Sequence, residues 1–157
     1  MKQYKNWIYI GLSIYLGLVM CLSSIKKFTT PVPTPTEVIT KAQDYNSQDA
    51  DSQTTQKILF ISGMKQTGYM WQFVGVCELL FGLLLLMQWP SFIAAVLLLP
   101  ITINIFFFHL FLEPEHIGEL VYTGTLLLAN ILLVTRYKND LKHLFWMRPT
   151  LMEWSVG

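Results

Sequence analysis

The sequence predicts an all-α polytopic membrane protein, four transmembrane helices in an antiparallel bundle with a long first extracytoplasmic loop. Three observations carry this. Four segments are apolar over the ~20 residues that a helix rising about 1.5 Å per residue needs to cross ~30 Å of hydrocarbon. Charged residues make up 13% of the chain and apolar ones 53%, whereas a soluble domain needs about a quarter charged to cover its surface. Trp7, Trp71 and Trp89 stand at segment ends, as in the aromatic belts of membrane interfaces.

The first segment runs from Trp7 to Ile25. Lys2 and Lys5 precede it and Cys21-Leu22-Ser23 resembles a small-x-small cleavage site, so a signal peptide is the competing reading. In Leu18-Val19-Met20-Cys21, however, Met20 is too large for the position before a lipoprotein cysteine. The stretch also exceeds the about 7–15 residues of a signal h-region. A retained helix is expected. The second segment, Tyr69 to Met87, holds one charge, Glu78. The third, Phe92 to Leu112, contains Pro100, which frees the carbonyl of Val96 and predicts a kink. The fourth is Ile117 to Thr135, with Glu119 near its start. Gln88-Trp89-Pro90-Ser91 and Glu113 to His116 are short links, so helices 2, 3 and 4 should be antiparallel neighbours. Pro90 suits a helix first turn.

Residues 26–66 form the first loop of a single domain spanning 1–157. Pro31-Val32-Pro33-Thr34-Pro35 predicts a stiff extended segment. Thr40 to Gln56, rich in Gln, Asp, Ser and Thr, reads as solvated and mobile. Lys57 to Lys65 turns apolar again and predicts a short interfacial helix. Lys2 and Lys5 before helix 1, and Arg136, Lys138, Lys142 and Arg148 after helix 4, place both termini in the cytoplasm. The third connection has Glu113, Glu115 and Glu119 without Lys or Arg, which places it outside. The first loop carries five lysines, but long loops cross a membrane largely regardless of charge. A net charge of +1 without a basic block or stripe gives no sign of a nucleic-acid partner, and none is expected. Cys21 and Cys77 form neither a CxxC pair nor a disulfide framework.

Polar groups at membrane depth need partners, which makes each a candidate site residue. They are Glu78, Asn104, His109 and Asn130, with Lys27 at the end of helix 1. Gly68, Gly75 and Gly82 recur at heptad spacing on the stripe that carries Trp71 and Glu78, predicting a close helix contact with Glu78 turned inward. Asn104 lies one turn after Pro100, and His109 is about 140° further round the helix. Two readings follow. In one, a hydrogen bond from Glu78 to His109 or Asn104 clasps helix 2 to helix 3. In the other, these residues line a pocket that binds a head group or relays a proton. The run of His109, Glu113, Glu115, His116 and Glu119 matches no metal-ligand spacing, so no metal is expected. Phe106, Phe107 and Phe108 read as lipid-facing and packing surface.

At these residues the chain resembles the DoxX family of small bacterial membrane proteins. The resemblance is carried by Thr67-Gly68-Tyr69, by Glu78 with Gly82 four residues on, and by Pro100, Asn104-Ile105 and His109-Leu110-Phe111-Leu112. It runs from Ser24 to Lys138. Two departures stand out: the insert between Thr36 and Phe60 is longer than usual, and Asn130 stands where many relatives carry a carboxylate. The resemblance implies a four-helix protein of the bacterial cytoplasmic membrane. It further implies a subunit of a quinone-linked redox assembly, with quinone or a lipid-like ligand near Glu78, Asn104 and His109 and an oxidoreductase protein as partner. The alternative is a non-catalytic assembly or chaperone subunit that binds its partner through the first loop; a standalone enzyme acting on a hydrophobic substrate ranks third.

Overall fold

A computed structural model describes residues 2–47, 52–88 and 91–136. Expectations for Trp89, Pro90, Lys138, Lys142 and Arg148 lie outside the described residues. Among those described there is no strand, and six helices follow in order: α1 (Lys2–Thr29), α2 (Pro35–Ser47), α3 (Ser52–Gln66), α4 (Met70–Leu86), α5 (Ser91–Leu112) and α6 (Ile117–Arg136). Trp7–Thr29, Ser91–Leu112 and Ile117–Arg136 are each long and apolar enough to cross a bilayer. The 17 residues of α4 reach about 26 Å. It follows α3 after a bend of 85°, and the two together form a fourth, broken candidate span.

Helix α1 packs on α4, α4 on α5, α5 on α6 and α6 back on α1. Leu16, Met20, Leu85, Leu98, Leu126 and Leu133 fill the space between them. Leu22, Phe73, Val76, Ile93, Phe107 and Leu128 are exposed on the outside. Such a surface would drive aggregation in water and is ordinary against lipid.

The α1–α4 contact is the tightest in the fold. A Cβ added to Gly82 would lie 2.9 Å from Cys21 Sγ and 3.0 Å from the carbonyl oxygen of Gly17. One added to Gly17 would lie 2.8 Å from the carbonyl oxygen of Gly82. Two glycines therefore face each other where the backbones meet, the small-residue approach that drives helix association in lipid. One end of the seam is marked by Ser13, which donates to the Leu85 carbonyl at 2.9 Å. At the other, Gly75 leaves room for Lys27, whose Cβ would be 3.3 Å from a methyl at that position. The pairs 13 with 85, 17 with 82 and 27 with 75 show the two helices running in opposite directions.

Two expectations about the first loop are corrected. Helix α1 runs on to Thr29, and the stretch read as solvated and mobile, though largely exposed over 40–44, is helical over its described residues. Thr34 N–H donates to Glu37 at 2.8 Å, and Glu37 N–H returns a bond to the Thr34 hydroxyl at 3.3 Å. This capping box, with Pro35 in the first turn, starts α2 and stops the extended proline segment. The predicted interfacial helix exists as α3, and begins earlier, at Ser52. It lies across the end of the bundle. The Phe60 ring packs tilted on Phe108 with centroids 5.7 Å apart, and Lys57 pairs with Glu113 in the α5–α6 link.

Gly68 is also corrected. It is not a packing glycine: nothing lies within 4 Å of where its Cβ would be, and its φ is +78°. It ends α3 in the left-handed conformation, and the hydroxyl of Thr67 accepts from Met70 N–H at 3.0 Å to start α4. Thr67-Gly68-Tyr69 is thus the corner that sets the 85° bend.

Leucine at Gly17 or Gly82 should force α1 and α4 apart, at a cost of ~1–3 kcal/mol, lowering the melting temperature in detergent. Gly11→Leu, where the space is open, should leave it near the wild-type value. A similar fall for all three would contradict the seam.

Candidate functional site

Glu78 is wholly buried and its partner comes from α1. Lys27 Nζ donates to Glu78 Oε2 at 2.6 Å, and the Ser23 hydroxyl donates to the same oxygen at 3.2 Å. Lys27 also reaches the Ser23 hydroxyl at 3.1 Å. Its side chain is 12% exposed. Oε1 of Glu78 is buried with no partner among the described residues, so within them the carboxylate depends on Lys27 and Ser23. Lys27 further lies 5.4 Å from the centroid of the Trp71 ring, one heptad before Glu78. Each part follows from local sequence: Ser23 and Lys27 are one turn apart on α1, and Gly75 sits a turn before Glu78 on α4. A charge alone at membrane depth costs ~2.5–3.5 kcal/mol or more; the pair offsets that for both residues. The expected clasp from Glu78 to His109 or Asn104 is therefore replaced by one to α1.

Asn130 is the second buried polar group, and it acts on the backbone of α5. In the carboxamide orientation that satisfies both ends, Nδ2 donates to the Ala95 carbonyl at 2.9 Å and Oδ1 accepts from Leu99 N–H at 3.1 Å. Those two backbone groups form one i to i−4 link, directly before Pro100. The Thr102 hydroxyl is 3.0 Å from the same carboxamide. Asn130 thus splints α5 where proline weakens its ladder.

Asn104 is exposed on α5 and joins neither group. His109 lies elsewhere again. Its Nδ1 is 2.6 Å from Glu113 Oε2, though not aligned as a hydrogen bond. Glu113 in turn holds Lys57 of α3. The other side of His109 borders a cavity of about 370 Å³ between α1, α5 and α6. Its walls are apolar at Val19, Met20, Leu22, Ile105 and Leu126, and polar at Ser23, Lys26, His109, Glu119, Tyr122 and Thr123. Ser23 belongs to both constellations: it lines this cavity and donates to Glu78. So the expected trio of Glu78, Asn104 and His109 separates. His109 borders the cavity, Glu78 reaches it only through Ser23, and Asn104 faces away.

The DoxX family model matches residues 11–110, well over half the chain and all of α1 beyond its first turns to near the end of α5. The chain belongs to the DoxX family. No curated protein and no solved structure matches it. In this DoxX protein the residues that carry the resemblance divide by role. Thr67-Gly68-Tyr69 makes the corner, Glu78 and Gly82 make the α1–α4 seam, and His109 borders the cavity. Sequence reasoning missed Gly17, Ser23, Lys26 and Tyr122. A helical projection would have placed Ser23 and Lys27 one turn apart, and Tyr122 one turn after Glu119.

Asn130→Asp keeps the shape but loses the donor to Ala95 and buries a carboxylate, whereas Asn130→Leu leaves both backbone groups without the splint. Each should lower stability by ~1–3 kcal/mol, with Asp the more damaging. Thermal melting of the purified protein checks this. A neutral Asn130→Asp would mean that the donor to Ala95 contributes nothing.

Proposed function

We propose that this DoxX protein is a multi-pass subunit of a quinone-linked redox assembly, and that the cavity between α1, α5 and α6 takes the quinone head group. In this reading α1, α4, α5 and α6 span the bacterial cytoplasmic membrane as a four-helix antiparallel bundle with both termini in the cytoplasm. The single observation that supports it most is the cavity itself. It opens between helices whose outer faces are apolar, and it sets an imidazole, a phenol, an ammonium and hydroxyl groups among aliphatic walls. Binding sites for amphipathic small molecules combine mostly apolar walls with a few fixed polar groups. A quinone supplies electron and proton transfer between membrane partners. The residues here would bind and orient it: Tyr122 and Lys26 donate to carbonyl oxygens, and Glu119 and His109 hold or pass protons at the cavity wall. Glu78 contributes by fixing Ser23 and the α1 wall.

A second reading is a non-catalytic assembly or chaperone subunit. The α2–α3 unit favours it, because Ile39, Leu59 and Phe60 remain exposed outside the bundle. Extraction in mild detergent followed by mass spectrometry separates the two. Quinone should be enriched over bulk lipid with the wild-type protein and depleted several-fold by Tyr122→Phe and His109→Gln at unchanged melting temperature. Asn104→Ala, outside the cavity, should retain it. No enrichment, or equal retention in every variant, would overturn the assignment; a stoichiometric protein partner without quinone would establish the second reading.

A further inference from the structure

We infer that the groove between α2 and α3 binds the phosphate of an anionic phospholipid. The groove encloses about 360 Å³ and lies apart from the cavity of the bundle. Its floor is apolar, from Val38 of α2 and Ile58 and Ile61 of α3. Three lysines line it: Lys41 from α2, and Lys57 and Lys65, about two turns apart on α3. The one acid in the lining, Glu37, is committed to the α2 capping box, where Thr34 N–H donates to it at 2.8 Å. Lys57 is paired with Glu113, so the positive charge of the groove rests on Lys41 and Lys65, which outweigh the single carboxylate of Glu37.

The position of the groove selects the source of the anion. Lys65 Nζ is 5.2 Å from the centroid of Trp71, and Trp71 opens α4 at the level where aromatic residues meet lipid head groups. Lys57 is held by Glu113 of the α5–α6 link, which fixes α3 across the end of the bundle. Leu59 and Phe60, beside the groove on α3, are 50% and 41% exposed. A soluble anion would use the lysines and leave this apolar surface uncovered. A phospholipid uses both, with phosphate among the ammonium groups and acyl chains along the exposed side chains. Clusters of lysine beside a spanning helix attract anionic lipid on general electrostatic grounds.

The full-length protein, placed in phosphatidylcholine nanodiscs with or without phosphatidylglycerol, tests this. Native mass spectrometry should find phosphatidylglycerol retained several-fold over phosphatidylcholine, with a melting temperature raised by several degrees. Inorganic phosphate should not reproduce that rise. Lys41→Gln should weaken the preference, and Lys41→Gln with Lys65→Gln should abolish it. Lys41 is exposed and stands away from the bundle, so the single variant folds and remains a test if the double variant does not. Equal retention of the two lipids, or an unchanged preference in Lys41→Gln, would overturn the inference. Protection by inorganic phosphate equal to that by phosphatidylglycerol would reassign the groove to a free anion.

Discussion

An ammonium and a carboxylate buried against each other between α1 and α4 constrain the rest of the molecule. Lys27 and Glu78 sit 2.6 Å apart, and neither has another ion-pair partner among the described residues. They approach only because the helices do. Gly17 and Gly82 bring the backbones together further along the seam, and Gly75 clears the space that Lys27 occupies. The charges then fix what glycine contacts alone leave free. Small-residue packing tolerates sliding by a turn, whereas an ion pair with one hydroxyl bridge has a single register. Buried polar pairs of this kind specify one arrangement more than they stabilise it, as a lone asparagine does in a coiled coil.

With that register set, the two polar systems fall into place. Ser23 donates its hydroxyl to Glu78 and also lines the bundle cavity, so the wall of the cavity is tied to the ion pair. From α6, Asn130 bonds the backbone of α5 just before Pro100, and His109, further along α5, borders the same cavity. Beyond the cavity, Glu113 joins His109 to Lys57, and so to α3. The corner at Thr67-Gly68-Tyr69 lays α3 across the end of the bundle and gives α2 a surface to pack on. Each element past the seam inherits its position from the one before.

The apolar helices were legible because lipid makes apolar length the dominant signal; the four predicted segments coincide with α1, α4, α5 and α6 to within a few residues at each end, although α4 is long enough to count as a span only together with α3. Glu78 was legible as an inward residue from its stripe of glycines. Its partner was not. Lys27 stands at the end of a segment, where a lysine more often snorkels to the interface, and only the three-dimensional register brings it to Gly75. The clasp to His109 failed for the related reason that spacing along one helix says nothing of which neighbour it meets. Gly68 fits the heptad but precedes the helix, and a turn glycine and a packing glycine look alike in sequence. The helix α2 was hidden by composition, although Thr34-Pro35-Thr36-Glu37 carries a capping box. The role of Asn130 lies in backbone groups of another helix, which no side-chain pattern records.

A double-mutant cycle on Lys27 and Glu78 tests the central claim most directly. Lys27→Met or Glu78→Met alone strands the other charge in the seam, and each should cost ~3–5 kcal/mol in unfolding free energy, measured in lipid or mild detergent. The double variant, with neither charge left, should recover most of that loss, giving a coupling energy of several times the ~0.5 kcal/mol within which independent sites add. Additive losses would contradict the account, because the two side chains would then not be holding each other.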